Sequence, residues 1–277
     1  MLDKIIHSWL RVPYTLHVTV DRKVKKPRAT IVFIHGIGLS AQSWEQVVKK
    51  TPSDIRVITV DLLGFGQSPK PRWAIYNVRL QARMIIATFL RLRINGPVIL
   101  VGHSLGALVS VEVAKRYPLL VRSLILCSPP FYKSDTAIKR LVPRTDKILK
   151  DIYRSIQKYP DQFIKISQLA VKYGLVNKGF NLTKDDAHSY MGALEASIVN
   201  QTSLEDAVKL KKRMSIIHGA LDAVVIGKNL KYLARHNPKV TLATIMAGHE
   251  VKGLYVSAVI AAITEAIPAK KTRAKKA

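Results

Sequence analysis

The run VILVGHSLGALVSVEVAKRYP, residues 98–118, constrains the fold more than any other stretch of this chain. Its first four residues are apolar on both faces, which suits a strand only where both faces of its sheet are covered, as in a parallel sheet. After one short turn, residues 105–117 carry apolar side chains at helical spacing. Pro118 stops that helix, because the residue before a proline disfavours helical backbone angles.

The same rhythm recurs along the chain. Residues 16–20, 29–35 and 57–61 read as short strands, the last ended by the turn-rich LLGFGQSPKP, and residues 77–93 read as an amphipathic helix. SLILCSPP, residues 123–130, is a further buried strand. Residues 213–218 and 240–246 repeat the pattern of a short apolar strand followed by small or polar residues, and 251–267 reads as an Ala/Val-rich closing helix. Strands alternating with helices predict an α/β fold with a mostly parallel sheet covered on both faces. With 277 residues, 48% of them hydrophobic, the chain can bury one sizeable core. Residues 131–210 interrupt the rhythm: they are lysine-rich, helical in pattern and without a convincing buried strand. They are expected to form a helical cap over the strand ends, inserted into a core domain made of residues 1–130 and 211–268.

Composition bounds the function classes. No window approaches the roughly 18 apolar residues that span a bilayer, and the start, MLDKIIHSWLRVPY, lacks the apolar stretch and cleavage site of a signal peptide, so a soluble cytoplasmic protein is expected. The single cysteine, Cys127, excludes an intrachain disulfide and reads as a small buried hydrophobe. A formal charge of +27 points to anionic partners without choosing among nucleic acid, membrane surface and acidic substrate. Part of it lies in AKKTRAKKA, residues 269–277, expected to be a disordered basic tail; the rest is spread over the body. A diffuse excess fits a proteome-wide bias or a crowded anionic environment as well as a dedicated site; it is compatible with weak contact with anionic surfaces, and no specific nucleic-acid site is expected.

GHSLG matches Gly-x-Ser-x-Gly, in which a tight strand-to-helix turn lifts the serine oxygen above the sheet. A serine hydroxyl is a weak nucleophile near neutral pH. It needs a histidine as general base, and the histidine needs a carboxylate to fix its tautomer. GALDAVV places Asp222 just beyond one strand end, and AGHE places His249 just beyond the next. Asp61 also follows a strand and is a second candidate for the acid. His35 and His103 flank the chemistry in sequence and read as loop-shaping residues, His218 and His188 as structural or surface residues. Glu250 reads as a helix N-terminal acid. Trp44, Phe131, Tyr132 and Met246 are candidates for pocket or core.

FIHGIG, DLLGFGQS, GHSLG, GALDAVV and AGHE, in that order, resemble the α/β-hydrolase superfamily from about Ile31 to the final helix, apart from the cap. The likeness is to the esterase/lipase-like branch. The resemblance implies Ser104 as nucleophile, His249 as general base and then acid, and Asp222 as the orienting carboxylate. It further implies an oxyanion hole made by the backbone N–H groups of Ile37 and Leu105, no metal or organic cofactor, and a small-molecule ester or acyl substrate. A serine in the elbow speaks against the branches that use a carboxylate nucleophile. Hydrolysis of a carboxylic ester leads; C–C bond hydrolase, lactonase, thioesterase and acyltransferase chemistry use the same triad. A binding protein for anionic polymers that kept the fold and lost the activity is the reading from another class.

Overall fold

The computed structural model describes residues 2–10, 12–132, 158–172, 184–199 and 201–269. The apolar runs become seven strands: β1 (Val18–Arg22), β2 (Thr30–Ile34), β3 (Arg56–Val60), β4 (Val98–His103), β5 (Val121–Cys127), β6 (Arg213–Gly219) and β7 (Val240–Ile245). They form one sheet in the order β1-β3-β2-β4-β5-β6-β7. Only β1 runs antiparallel to its neighbour, β3; the other five pairings are parallel. The helices are α1 (Glu45–Lys50), α2 (Val78–Arg91), α3 (Leu105–Arg116), α4 (Pro160–Lys172), α5 (Lys184–Ala193), α6 (Ser203–Lys209), α7 (Gly227–His236) and α8 (Leu254–Ala266).

Alternation along the central strands sorts the core into two layers. Val32, Ile34, Val98 and Leu100 face a layer that includes side chains of α2, α3, α6 and α7. Ile31, Phe33, Ile99 and Val101 face the other, which is closed by α1 and α8. Every residue of β4 is buried, as a strand covered on both faces requires. Asn77 caps α2 by accepting the Leu80 N–H at 2.8 Å. SLILCSPP stops being a strand at Cys127: Ser128 takes φ +46°, and the two prolines that follow have no N–H for a ladder.

Of the segment expected to form a cap, residues 133–157, 173–183 and 200 lie outside the described residues; 158–172, 184–199 and 201–210 contain α4, α5, a wide turn at Leu194–Val199, and α6. α5 and that turn lean on the loop after β3. Ser197 Oγ donates to the Tyr76 carbonyl at 2.7 Å, and Lys70 pairs with Asp186 at 3.3 Å. α6 instead packs between α3 and α7, with Leu204 and Ala207 buried in the main core. Most of the basic tail, residues 270–277, is also outside the described residues. No helix among the described residues is long and apolar enough to cross a membrane.

Candidate active site

In a parallel sheet the loops leaving the C-terminal ends of adjacent strands converge, which is where ligands of open α/β sheets bind. Here β4 delivers Ser104, β6 delivers Asp222 and β7 delivers His249. Ser104 is the hinge between β4 and α3, with φ +50° and ψ −116°. A non-glycine residue held there costs on the order of 1–3 kcal/mol, and persists only where the surroundings over-determine it. They do so here. Ser104 N–H donates to the Cys127 carbonyl at 2.9 Å, and the Ser104 carbonyl accepts from Ala107 N–H at 2.9 Å. The flanking glycines allow the chain to fold this tightly: a Cβ on Gly102 would lie 2.3 Å from the Gly106 carbonyl oxygen, and one on Gly106 would lie 2.2 Å from that of Ile34.

His249 Nδ1 lies 2.8 Å from Asp222 Oδ2. A carboxylate only accepts, so Nδ1 carries the proton and Nε2 keeps its lone pair. The Asp222 side chain is fully buried, and its Oδ1 accepts the N–H groups of Val224 at 2.9 Å and Val225 at 3.2 Å. Burial pushes the carboxyl upward; the hydrogen bond and charge of His249, with the Ser128 hydroxyl and the Val224 N–H, outweigh it and hold Asp222 below the usual carboxylate range.

His103 joins the two halves of the site. Its Nε2 donates to the His249 carbonyl at 2.9 Å, and the two rings lie 4.9 Å apart. The residue beside the serine thus tethers the loop that carries the histidine. Among the described residues no hydrogen bond joins Ser104 to His249 directly. Burial and the nearby His249 charge push His103 down to about 3, so it stays neutral and serves as a tether. The loop after β2 closes the site from the other side: a Cβ on Gly36 would lie 3.2 Å from Ser104 Cβ, so the backbone leading into Ile37 runs against the serine. Leu105 is the first residue of α3, where the helix offers no acceptor for its N–H.

The other candidates are placed elsewhere or otherwise engaged. Asp61 is buried, and its two oxygens accept Ala41 N–H at 2.7 Å and Gln67 N–H at 2.9 Å, so it holds the loops after β2 and β3 together. Asp61→Asn is therefore expected to cost about 1–3 kcal/mol of stability, the range for a buried acceptor left short of a partner. Chemical denaturation measures this, and the folded variant should keep its kcat; a collapse of kcat at unchanged stability would return Asp61 to the chemistry. His35 accepts Leu62 N–H at 2.9 Å and donates to the Gly36 carbonyl at 2.7 Å, both backbone roles. His218 bonds the Gly219 carbonyl and Thr244. His188 is exposed on α5 and stacks edge-on near Tyr76. Trp44 and Phe131 are core, Met246 is exposed, and Tyr132 donates to the Val224 carbonyl at 2.8 Å beside Asp222. Cys127 is buried in the core, and burial raises its thiol.

Two residues near the site were not singled out by the sequence. Ser128, strained at φ +46°, lies 3.0 Å from the Tyr255 hydroxyl, which donates to the Ile217 carbonyl at 2.5 Å. Together they brace the ends of β5 and β6 behind Asp222. Their only sequence signal is the strand-end position of Ser128.

A parallel sheet, a strained serine between β4 and α3, and an Asp–His pair on the next loops define the α/β-hydrolase fold with a nucleophile-elbow turn. The model of the alpha/beta hydrolase fold family matches residues 29–164. Two solved structures share the fold: an esterase from Thermogutta terrifontis, with a TM-score of 0.69 at 17% identity, covering 92% of this chain and 94% of its own; and the enol-lactonase from Burkholderia xenovorans, with a TM-score of 0.69 at 18% identity over 92% and 99%. Among curated sequences, the probable lysophospholipase BODYGUARD 2 of Arabidopsis thaliana is 32% identical over 165 residues, 56% of this chain and 34% of that one. The chain spans about a third of the length of that relative. It belongs to the α/β-hydrolase superfamily.

Proposed function

We propose that this chain is a serine hydrolase that cleaves small-molecule carboxylic esters through Ser104, His249 and Asp222. The observation that carries the reading is the 2.8 Å contact between His249 and a fully buried Asp222, on the loop tethered to the strained Ser104 turn. In this reading His249 Nε2 takes the Ser104 proton as Oγ attacks the carbonyl carbon. The tetrahedral oxyanion rests on the N–H groups of Ile37 and Leu105, where each donor is worth about 3 kcal/mol. His249 returns its proton to the departing alcohol, leaving an acyl-serine. Water then repeats the sequence, releasing the acid and restoring Ser104. Asp222 stays ionised throughout and holds the imidazole by its Nδ1–H.

An esterase, an enol-lactonase and a probable lysophospholipase are among the similar proteins, and so is a meta-cleavage product hydrolase, so a substrate panel has to separate an ester from a C–C bond as the target. The apolar content of FIKISQLAVKYGLV in the proposed cap favours an apolar acyl or aryl group over a sugar. Short and medium p-nitrophenyl esters are expected to be hydrolysed faster than lactones, thioesters or dienoic diketones in a side-by-side panel. Turnover of long-chain lipids alone would contradict the substrate class. Salt-sensitive DNA binding without any esterase activity would replace the enzyme by a binding protein.

A further inference from the structure

A second cavity lies at the opposite end of the strands. Where β5, β6 and β7 begin, a cavity of about 390 Å³ opens between the sheet and the C-terminal end of α8. Arg122 stands at the start of β5, Arg213 is the first residue of β6, and Lys239 immediately precedes β7; all three line the cavity. Among the described residues none of these cationic side chains has an ion-pair or hydrogen-bond partner. Glu265 is the single acid in the lining. The floor is polar where the neighbouring stretch of the same sheet face is apolar. Ile125, Cys127 and Ile217 pack under α8, but toward the strand starts their places are taken by Ser123, Ser215, Thr241 and Arg213. Ser123 is opposite Arg213, and Ser215 is opposite Thr241, in the strand register. Ser123 is 6% exposed, and its Oγ has no hydrogen-bond partner. A buried hydroxyl without a partner is uncommon in a folded chain.

The α8 terminus does not account for these cations. The carbonyl of Pro268, just past the helix, already accepts from Arg28 at 3.3 Å. We propose that this cavity binds a small phosphorylated anion. Three cations against one carboxylate match a doubly charged group, guanidinium forks suit phosphoryl oxygens, and the hydroxyl row supplies further donors. The volume falls in the range of small-molecule pockets. The site is independent of the Ser104 chemistry.

The test uses the full chain and inorganic pyrophosphate. Calorimetry at moderate salt should show saturable one-to-one binding. The double variant R213Q/K239Q should weaken it by about tenfold or more, as loss of two charged donors implies, whereas K228Q/K231Q, which removes the same charge from exposed α7, should leave it nearly unchanged. Equal loss in both variants would reduce the effect to the overall charge and overturn the site. A readout on the unmodified chain guards against misfolding: amide resonance shifts on adding pyrophosphate should cluster at residues 213–215, 239–241 and 265–269. Shifts scattered over the surface would overturn the proposal, as would binding to phosphatidylglycerol vesicles without saturable pyrophosphate binding.

Discussion

Ser104→Ala is expected to lower kcat on a p-nitrophenyl ester by about 10⁴-fold or more and to abolish labelling by a fluorophosphonate. The substitution removes one oxygen and keeps the Cβ, so the strained turn and its contacts to Cys127 and Ala107 persist. What is lost is the atom that forms the acyl-enzyme. His249 and Asp222 then still orient a base with nothing to activate but water. Because the members of a triad act as a unit, the single substitution should cost nearly as much as removing all three. Thermal melting should barely move, which separates lost chemistry from lost structure. Covalent labelling that survives in Ser104→Ala, or turnover within tenfold of the parent chain, would remove Ser104 from the proposed role.

The sequence places these residues because each follows a short apolar strand, and strand ends are what a parallel sheet brings together. Two-faced apolar runs such as VILV leave little choice of fold, since water would otherwise meet one face. Which acid serves the histidine is not legible at that level: Asp61 and Asp222 both follow strands. The structure separates them through partners far apart in sequence, with Asp61 engaged by the N–H groups of Ala41 and Gln67, and Asp222 reaching His249. The tether from His103 to the His249 carbonyl spans 146 positions, and the Ser128–Tyr255 contact spans 127. No local pattern encodes such pairs. The cavity under the strand starts was hidden for the same reason. Arg122, Arg213 and Lys239 look like surface charges one at a time, and become a cluster only when β5, β6 and β7 lie side by side.

Gly106→Ala carries the largest expected effect on stability. The added methyl would stand 2.2 Å from the carbonyl oxygen of Ile34 and 2.6 Å from that of His35. Both are backbone atoms, one in β2 and one in the loop that leads to Ile37, so no rotamer change relieves the clash. Either α3 moves off the sheet or β2 shifts in its pairing with β4, and the first would open the buried layer around Leu105 and Leu108. Overpacking in a filled core costs roughly 1–3 kcal/mol, and a clash with rigid backbone belongs at or beyond the top of that range. A loss of about 3 kcal/mol or more is expected in urea denaturation, with activity falling alongside because the N–H of Leu105 and the loop of Gly36 move with the displaced elements. Gly248→Ala is the matched control: a Cβ there meets nothing within 4 Å. It should change stability by less than about 1 kcal/mol. If the two variants melt alike, the close approach of α3 to β2 that builds the serine turn is wrong, and the geometry assigned to Ser104 falls with it.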